Sequence, residues 1–173
     1  TRVTLEANAS VKWLPISFTS FNALDIVGGD GNDQLNVDNT NGLITLSSGI
    51  SYDGQSGNDA LRLQGSTAVT TSTYRVGPDA GAGSITHTLS TNTQQVFFAN
   101  LEPVVDVVAG SLSVVGTNAA NQITYTATGS NGLIAIDGFE TLEFANKTTV
   151  TLDGGAGSDT FSIAKSSNGF SGT

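Results

Sequence analysis

The sequence predicts an all-β chain of short strands joined by glycine-rich turns, and three observations carry that reading. Charged residues are only 12% of the 173, about half the usual ~25%. Thr, Ser, Asn and Gly must therefore supply the polar surface, and these residues suit pleated strands and tight turns. A 14-residue pattern recurs four times. No segment of helical length sustains a helical apolar period, because Thr, Gly and Asn interrupt every candidate.

The four units are LDIVGGDGNDQLNV (Leu24 to Val37), ISYDGQSGNDALRL (Ile50 to Leu63), LSVVGTNAANQITY (Leu112 to Tyr125) and VTLDGGAGSDTFSI (Val150 to Ile163). Positions 1 and 3 are apolar throughout: Leu24/Ile26, Ile50/Tyr52, Leu112/Val114 and Val150/Leu152. So are positions 12 and 14: Leu35/Val37, Leu61/Leu63, Ile123/Tyr125 and Phe161/Ile163. Position 5 is Gly28, Gly54, Gly116 or Gly154, and position 10 is Asp33, Asp59, Asn121 or Asp159. Apolar spacing of two on either side of a turn means strand–turn–strand, with one face of each strand in the core.

Residues 24–63 resemble 112–163, and NGLITL (Asn41–Leu46) echoes NGLIAI (Asn131–Ile136). The expectation is a single domain over 1–173, internally duplicated. Units starting at 24, 50, 112 and 150 are 26, 62 and 38 residues apart. At ~20–25 residues per coil this reads as one, three and two coils. Residues 64–111 would then supply coils without the glycine turn. Their strand-like pieces are Tyr74/Val76, Ile85/His87/Leu89 and Val104 to Val108, with a bulge or insertion at Gly77–Ser84. A strand face cannot bury itself alone, so units must stack. A parallel β-solenoid is expected, with an antiparallel β-sandwich as the alternative. The eight-residue turn suits a solenoid corner better than the two-residue hairpin turns of a sandwich.

The net charge is −9, with six Lys and Arg in all. That argues against nucleic acid as a partner and against an anionic membrane surface; cations are the natural counterpart. No apolar run reaches the ~18 residues of a membrane span, so no membrane insertion is expected. The chain has no Cys, which excludes thiolate zinc sites and thiol nucleophiles. It has no Met and begins at Thr1, which reads as a processed or excised segment. His87 is the only histidine and reads as a strand position. Glu102, Glu140 and Glu143 read as surface charge. No catalytic motif emerges, and the chain is not expected to be an enzyme. Asn8-Ala9-Ser10 and Asn146-Lys147-Thr148 are glycosylation sequons.

The turns carry the chemistry. GGDGNDQLN (Gly28–Asn36) and GGAGSDTFS (Gly154–Ser162) match G-G-x-G-x-D-x-U-x at every fixed position. This resembles the nonapeptide of the repeats-in-toxin calcium-binding proteins. GQSGNDALR (Gly54–Arg62) departs at Gln55, while GTNAANQIT (Gly116–Thr124) keeps only its first Gly and has Asn121 for the Asp. Calcium takes six to eight oxygens, and glycines let several carbonyls converge. The resemblance implies Ca2+ between turns of neighbouring coils. Its main ligands would be Asp33, Asp59 and Asp159, with Asp30, Asn32, Asp53, Asn58 and Asp153 secondary. Unlike the tandem repeats of that family, these units are separated. Only the first two turns look one coil apart, so a calcium bridging Asp33 and Asp59 is the leading site. The Asp159 turn stays open between a metal site and a plain glycine turn.

The resemblance further implies a segment of a large secreted bacterial surface protein, with an adhesive, surface-layer or filament role. Its partners would be neighbouring repeats or identical subunits stacked end to end, and cell-surface glycans. The alternative is a carbohydrate-binding or carbohydrate-cleaving β-helix, which would draw on Trp13, Tyr52, Tyr74 and Tyr125.

Overall fold

A computed structural model describes residues 21–166 together with the backbone of residues 2–6; Trp13 and the Asn8 sequon lie outside the described residues. The described chain is all β. After β1 (Arg2–Glu6), the first unit forms β2 (Ala23–Asp30) and β3 (Gln34–Asp38), and the second β4 (Ile50–Ser56) and β5 (Ala60–Gln64). Then come β6 (Thr71–Val76), β7 (Gly83–Leu89), β8 (Asn92–Ala99) and β9 (Val104–Asp106). The third unit forms β10 (Gly110–Val115) and β11 (Gln122–Thr128), followed by β12 (Asn131–Ile136) and β13 (Leu142–Phe144). The fourth closes the series as β14 (Lys147–Asp153) and β15 (Thr160–Lys165).

Alternation sorts the strands into two layers. One sheet runs β1-β2-β4-β8-β7-β6-β10-β14 and the other β15-β11-β12-β13-β9-β5-β3. Each repeat unit places its first strand in one sheet and its second in the other, so the turn crosses the edge of the core. Tyr52, Tyr74, Ile85, Val96 and Leu112 point inward from the first sheet. Leu61, Leu63, Val104, Ile123, Ile134 and Leu142 meet them from the second.

The register matches the repeat. Leu24 and Ile26 sit beside Ile50 and Tyr52, and Leu35 and Val37 beside Leu61 and Leu63. In the later pair, Leu112 and Val114 sit beside Val150 and Leu152, and Ile123 and Tyr125 beside Phe161 and Ile163. Equivalent positions thus stack on each other, which puts every unit's turn directly over its neighbour's.

Pairing is parallel toward both ends and antiparallel in the middle, so both sheets are mixed. The antiparallel part is two meanders, β6-β7-β8 and β11-β12-β13. They correct the coil count. The 38-residue step from unit three to unit four is a single layer, because β12 and β13 turn back and add strands to the second sheet. The expected bulge at Gly77–Ser84 is the hairpin connection 77–82 from β6 to β7 together with the first two residues of β7, closed by Gly77 N–H donating to the Ala82 carbonyl at 2.8 Å. The β11–β12 turn has only Gly129 and Ser130 between the paired Thr128 and Asn131, with Gly129 at φ 59°. NGLITL is also corrected: Asn41–Leu46 is a connection and forms no strand, although its echo forms β12.

Candidate metal centre

The motif glycines have two different jobs. In the first, second and fourth turns, residues at positions 6 and 8 take left-handed backbone: Gly29 at φ 103° and Gly31 at 119°, Gln55 at 71° and Gly57 at 149°, Gly155 at 81° and Gly157 at 109°. That conformation favours glycine, and Gln55 adopts it too. The glycine at position 5 instead makes room. A Cβ on Gly28 would stand 2.7 Å from the Gly54 carbonyl oxygen and 3.2 Å from Asp33 Oδ2. One on Gly54 would stand 2.5 Å from Asp59 Cβ and 2.7 Å from its Oδ2. Each Asp therefore lies flat on its own turn's first glycine.

The first two turns stack closely. Gly31 N–H donates to the Ser56 carbonyl (2.9 Å) and Ala60 N–H to the Asp33 carbonyl (2.9 Å). Asn58 N–H donates to Asn32 Oδ1 (3.0 Å). Asp59 Oδ1 accepts the Asp33 N–H across the two layers (2.7 Å). Asp59 is fully buried. Its Oδ2, the Asp33 Oδ2 and the Tyr52 hydroxyl are all buried without a hydrogen-bond partner. The three lie within electrostatic reach: burial, then the Asp59, Asp33 and Asp53 carboxylates, push the Tyr52 hydroxyl up to about 12. Three buried oxygens on these two neighbouring units, two of them on carboxylates, thus have no hydrogen-bond donor, and bare buried oxygens of this kind are costly.

The other expected ligands are placed differently. Asp30 is exposed. Asp53 Oδ1 is occupied by Gln55 N–H (3.0 Å) and Asn100 Nδ2 (2.8 Å). Asp153 and Asp159 lie at the far end of the sheets. There Asp153 Oδ1 accepts from Gly155 N–H (2.9 Å), and Asp159 Oδ1 from Asn121 N–H (2.9 Å). The Asn121 side chain is already satisfied. It accepts from Thr117 N–H (2.9 Å) and donates to Asp137 Oδ2 (2.7 Å). This second stacked pair keeps the ladder bond between layers but offers one carboxylate instead of two. Among the described residues no three His, Cys, Asp or Glu side chains converge on a point. A cation at the first pair would draw its remaining oxygens from main-chain carbonyls, the Tyr52 hydroxyl and water.

Sequence reasoning missed the Tyr52 hydroxyl beside Asp33 and Asp59, since the residue reads as a core position or a sugar-binding aromatic. It also missed a buried cluster around Asp106 in β9. Asp106 Oδ2 accepts from Ser72 Oγ (2.6 Å) and Lys147 Nζ (2.7 Å) and lies 3.2 Å from His87 Nε2. Its Oδ1 accepts from Val108 N–H (3.0 Å). The available signal was one Asp inside Val104-Val105-Asp106-Val107-Val108, at a position whose neighbours two away face inward.

Glu140, expected on the surface, is buried. Burial and the nearby Glu102 carboxylate push its carboxyl up to about 7. The folded state thus favours the neutral acid. Its contribution is fully present below the ordinary value of 4.5 and is lost as pH rises to about 7. Glu140→Gln should remove that dependence. Measured by urea midpoint, the variant should gain on wild type between about pH 5 and about pH 8. A constant difference would contradict this.

Tyr52 and Tyr74 are buried, which takes two of the four aromatics away from any sugar-binding groove. No protein-family model matches the chain, and no curated protein or solved structure matches it either.

Proposed function

We propose that this chain is a calcium-stiffened structural segment of an extracellular surface or matrix protein, with a mechanical and not a catalytic role. The single observation that carries the reading is the corner of Asp33, Asp59 and Tyr52. There two stacked carboxylates present buried oxygens that no donor satisfies. Leaving two such oxygens bare is costly, and a bound Ca2+ would remove that cost and lock β2–β3 onto β4–β5. Asp33 and Asp59 would hold the ion, with Tyr52 as a neutral oxygen. The glycines at position 5 support this by keeping Cβ atoms out of the corner. In this reading the two parallel ends are coils of a solenoid into which the meanders have been inserted.

The fourth unit supports continuation beyond the described strands. At that end Tyr125, Val150, Leu152, Phe161 and Ile163 line an open cleft of about 460 Å³, and Ile163 is 77% exposed. A neighbouring repeat or a second subunit laid on this end would bury it. The RTX-like turns, the acidic charge and the near absence of basic residues fit a secreted setting where calcium is plentiful.

Thermal melts in calcium and in chelator test the proposal. At calcium about 100-fold above its dissociation constant the midpoint should rise by roughly 5–10 °C. Asp59→Asn should abolish the rise. An unchanged midpoint in wild type would overturn the metal reading and leave the two-sheet fold untouched.

A further inference from the structure

The Asp106 cluster has the composition of a reaction site. Lys147 and Asp106 carry side chains only 1% and 0% exposed, and their charged groups touch at 2.7 Å. They come from opposite sheets, β14 and β9. The backbone holds them in place on both sides. Ala145 N–H donates to the Asp106 carbonyl (3.2 Å) and Gly110 N–H to the Asn146 carbonyl (3.4 Å). Asn146 Nδ2 donates to the Val107 carbonyl (2.9 Å). These bonds fix the two strands, and so the two Cα positions, relative to each other.

We propose that Lys147 and Asp106 condense to an intramolecular amide, with His87 as the proton carrier. The ammonium–carboxylate pair must pass to its uncharged amine–acid form before Nζ can attack; burial away from water favours that transfer, while the hydrogen bonds and charges of His87 and Lys147 on Asp106 oppose it. Burial lowers the Lys147 amine from its ordinary value against the opposing pull of Asp106. One proton passes from Nζ to Oδ2 along the 2.7 Å contact. The Nζ lone pair then attacks Cγ. Negative charge builds on Oδ1, where the Val108 N–H stands at 3.0 Å to receive it. Nζ releases its second proton, and His87 Nε2, which faces the same Oδ2 at 3.2 Å, delivers a proton to the departing hydroxyl, so that Oδ2 leaves as water. Ser72 Oγ, 2.6 Å from Oδ2, steadies that leaving group. One hydrogen stays on the new amide nitrogen, so the step loses one water and needs no oxidant or further reactant. Held in contact, the two groups react at an effective concentration that no encounter in solution reaches. The product ties the two sheets covalently in a chain with no cysteine for disulfides.

Tryptic mass mapping of the denatured full-length chain tests this. Basic residues flank the site at Arg75, Lys147 and Lys165. An amide at Lys147 blocks cleavage there, so residues 76–165 should appear as one looped peptide, one water lighter than its sequence mass. Lys147→Arg should give full-mass peptides cut after residue 147. Succinimide at Asp137-Gly138 or Asp153-Gly154 also loses water, but it leaves the Lys147 cut intact. His87→Gln should slow appearance of the loop on storage; loop formation at the wild-type rate would overturn the role of His87. Full-mass 76–147 as the only product from both fresh and aged wild type would overturn the amide itself.

Discussion

Asp106→Ala is expected to destabilise the fold by about 3–5 kcal/mol. The carboxylate takes Ser72, Lys147 and His87 on one oxygen and the Val108 N–H on the other. Burial alone would raise its pKa; the hydrogen bond and charge of His87, then Lys147, outweigh that and hold it below the ordinary carboxylate value. Alanine strands the donors that depended on it and leaves the Lys147 side chain without its counter-charge. Its remaining partner in the cluster is the Val108 carbonyl at 2.5 Å. Chain in which the two residues have condensed loses the covalent tie as well.

The ion pair as a whole contributes much less than either half, because burying both charges costs nearly what their attraction returns. Lys147→Met added to Asp106→Ala should therefore recover a large part of the loss, and the two substitutions should be strongly non-additive. Urea denaturation of wild type, both single variants and the double variant measures this. An Asp106→Ala midpoint close to wild type, or simple additivity in the cycle, would show that the pocket is wet enough to solvate Lys147.

What the sequence revealed and what it hid divide along range. The four units were legible because each is local: two apolar pairs and a turn whose glycines answer to backbone geometry within one strand–turn–strand. The register of Leu24 on Ile50 and of Leu112 on Val150 follows once those columns are stacked. The meanders were not legible, because the same local pattern served two ends. NGLIAI follows the two-residue turn at Gly129 and Ser130 and pairs back onto β11. NGLITL follows a different turn, in which Thr40 N–H donates to Asp38 Oδ1 (2.9 Å) and Gly42 N–H to the Asn39 carbonyl (3.0 Å). That turn steers the chain into a connection. Asp33 and Asp59 were found through the motif. Tyr52 and the Asp106 cluster were not, since Ser72, His87, Asp106 and Lys147 come together only when two sheets close on each other.

The glycine at position 5 gives the sharpest test of how turn and site depend on each other. Gly54→Ala should destabilise by about 3 kcal/mol or more, at or above the top of the usual range for overpacking. The new methyl would stand 2.3 Å from the Asn100 carbonyl oxygen and 2.5 Å from Asp59 Cβ. The first obstacle is backbone and the second is a fully buried side chain, so neither has room to yield. If Asp59 moves, its bond to the Asp33 N–H lengthens and its free oxygen leaves the corner, and the calcium response should disappear with the stability. Gly29→Ala is the control. That residue has φ 103° with nothing within 4 Å of a Cβ, so it should lose only about 1–2 kcal/mol of backbone strain and keep its calcium shift. Melts of the two variants with and without calcium separate the roles. Equal losses in both, with the calcium shift kept in both, would mean that the flat contact between Gly54 and Asp59 does not shape the corner.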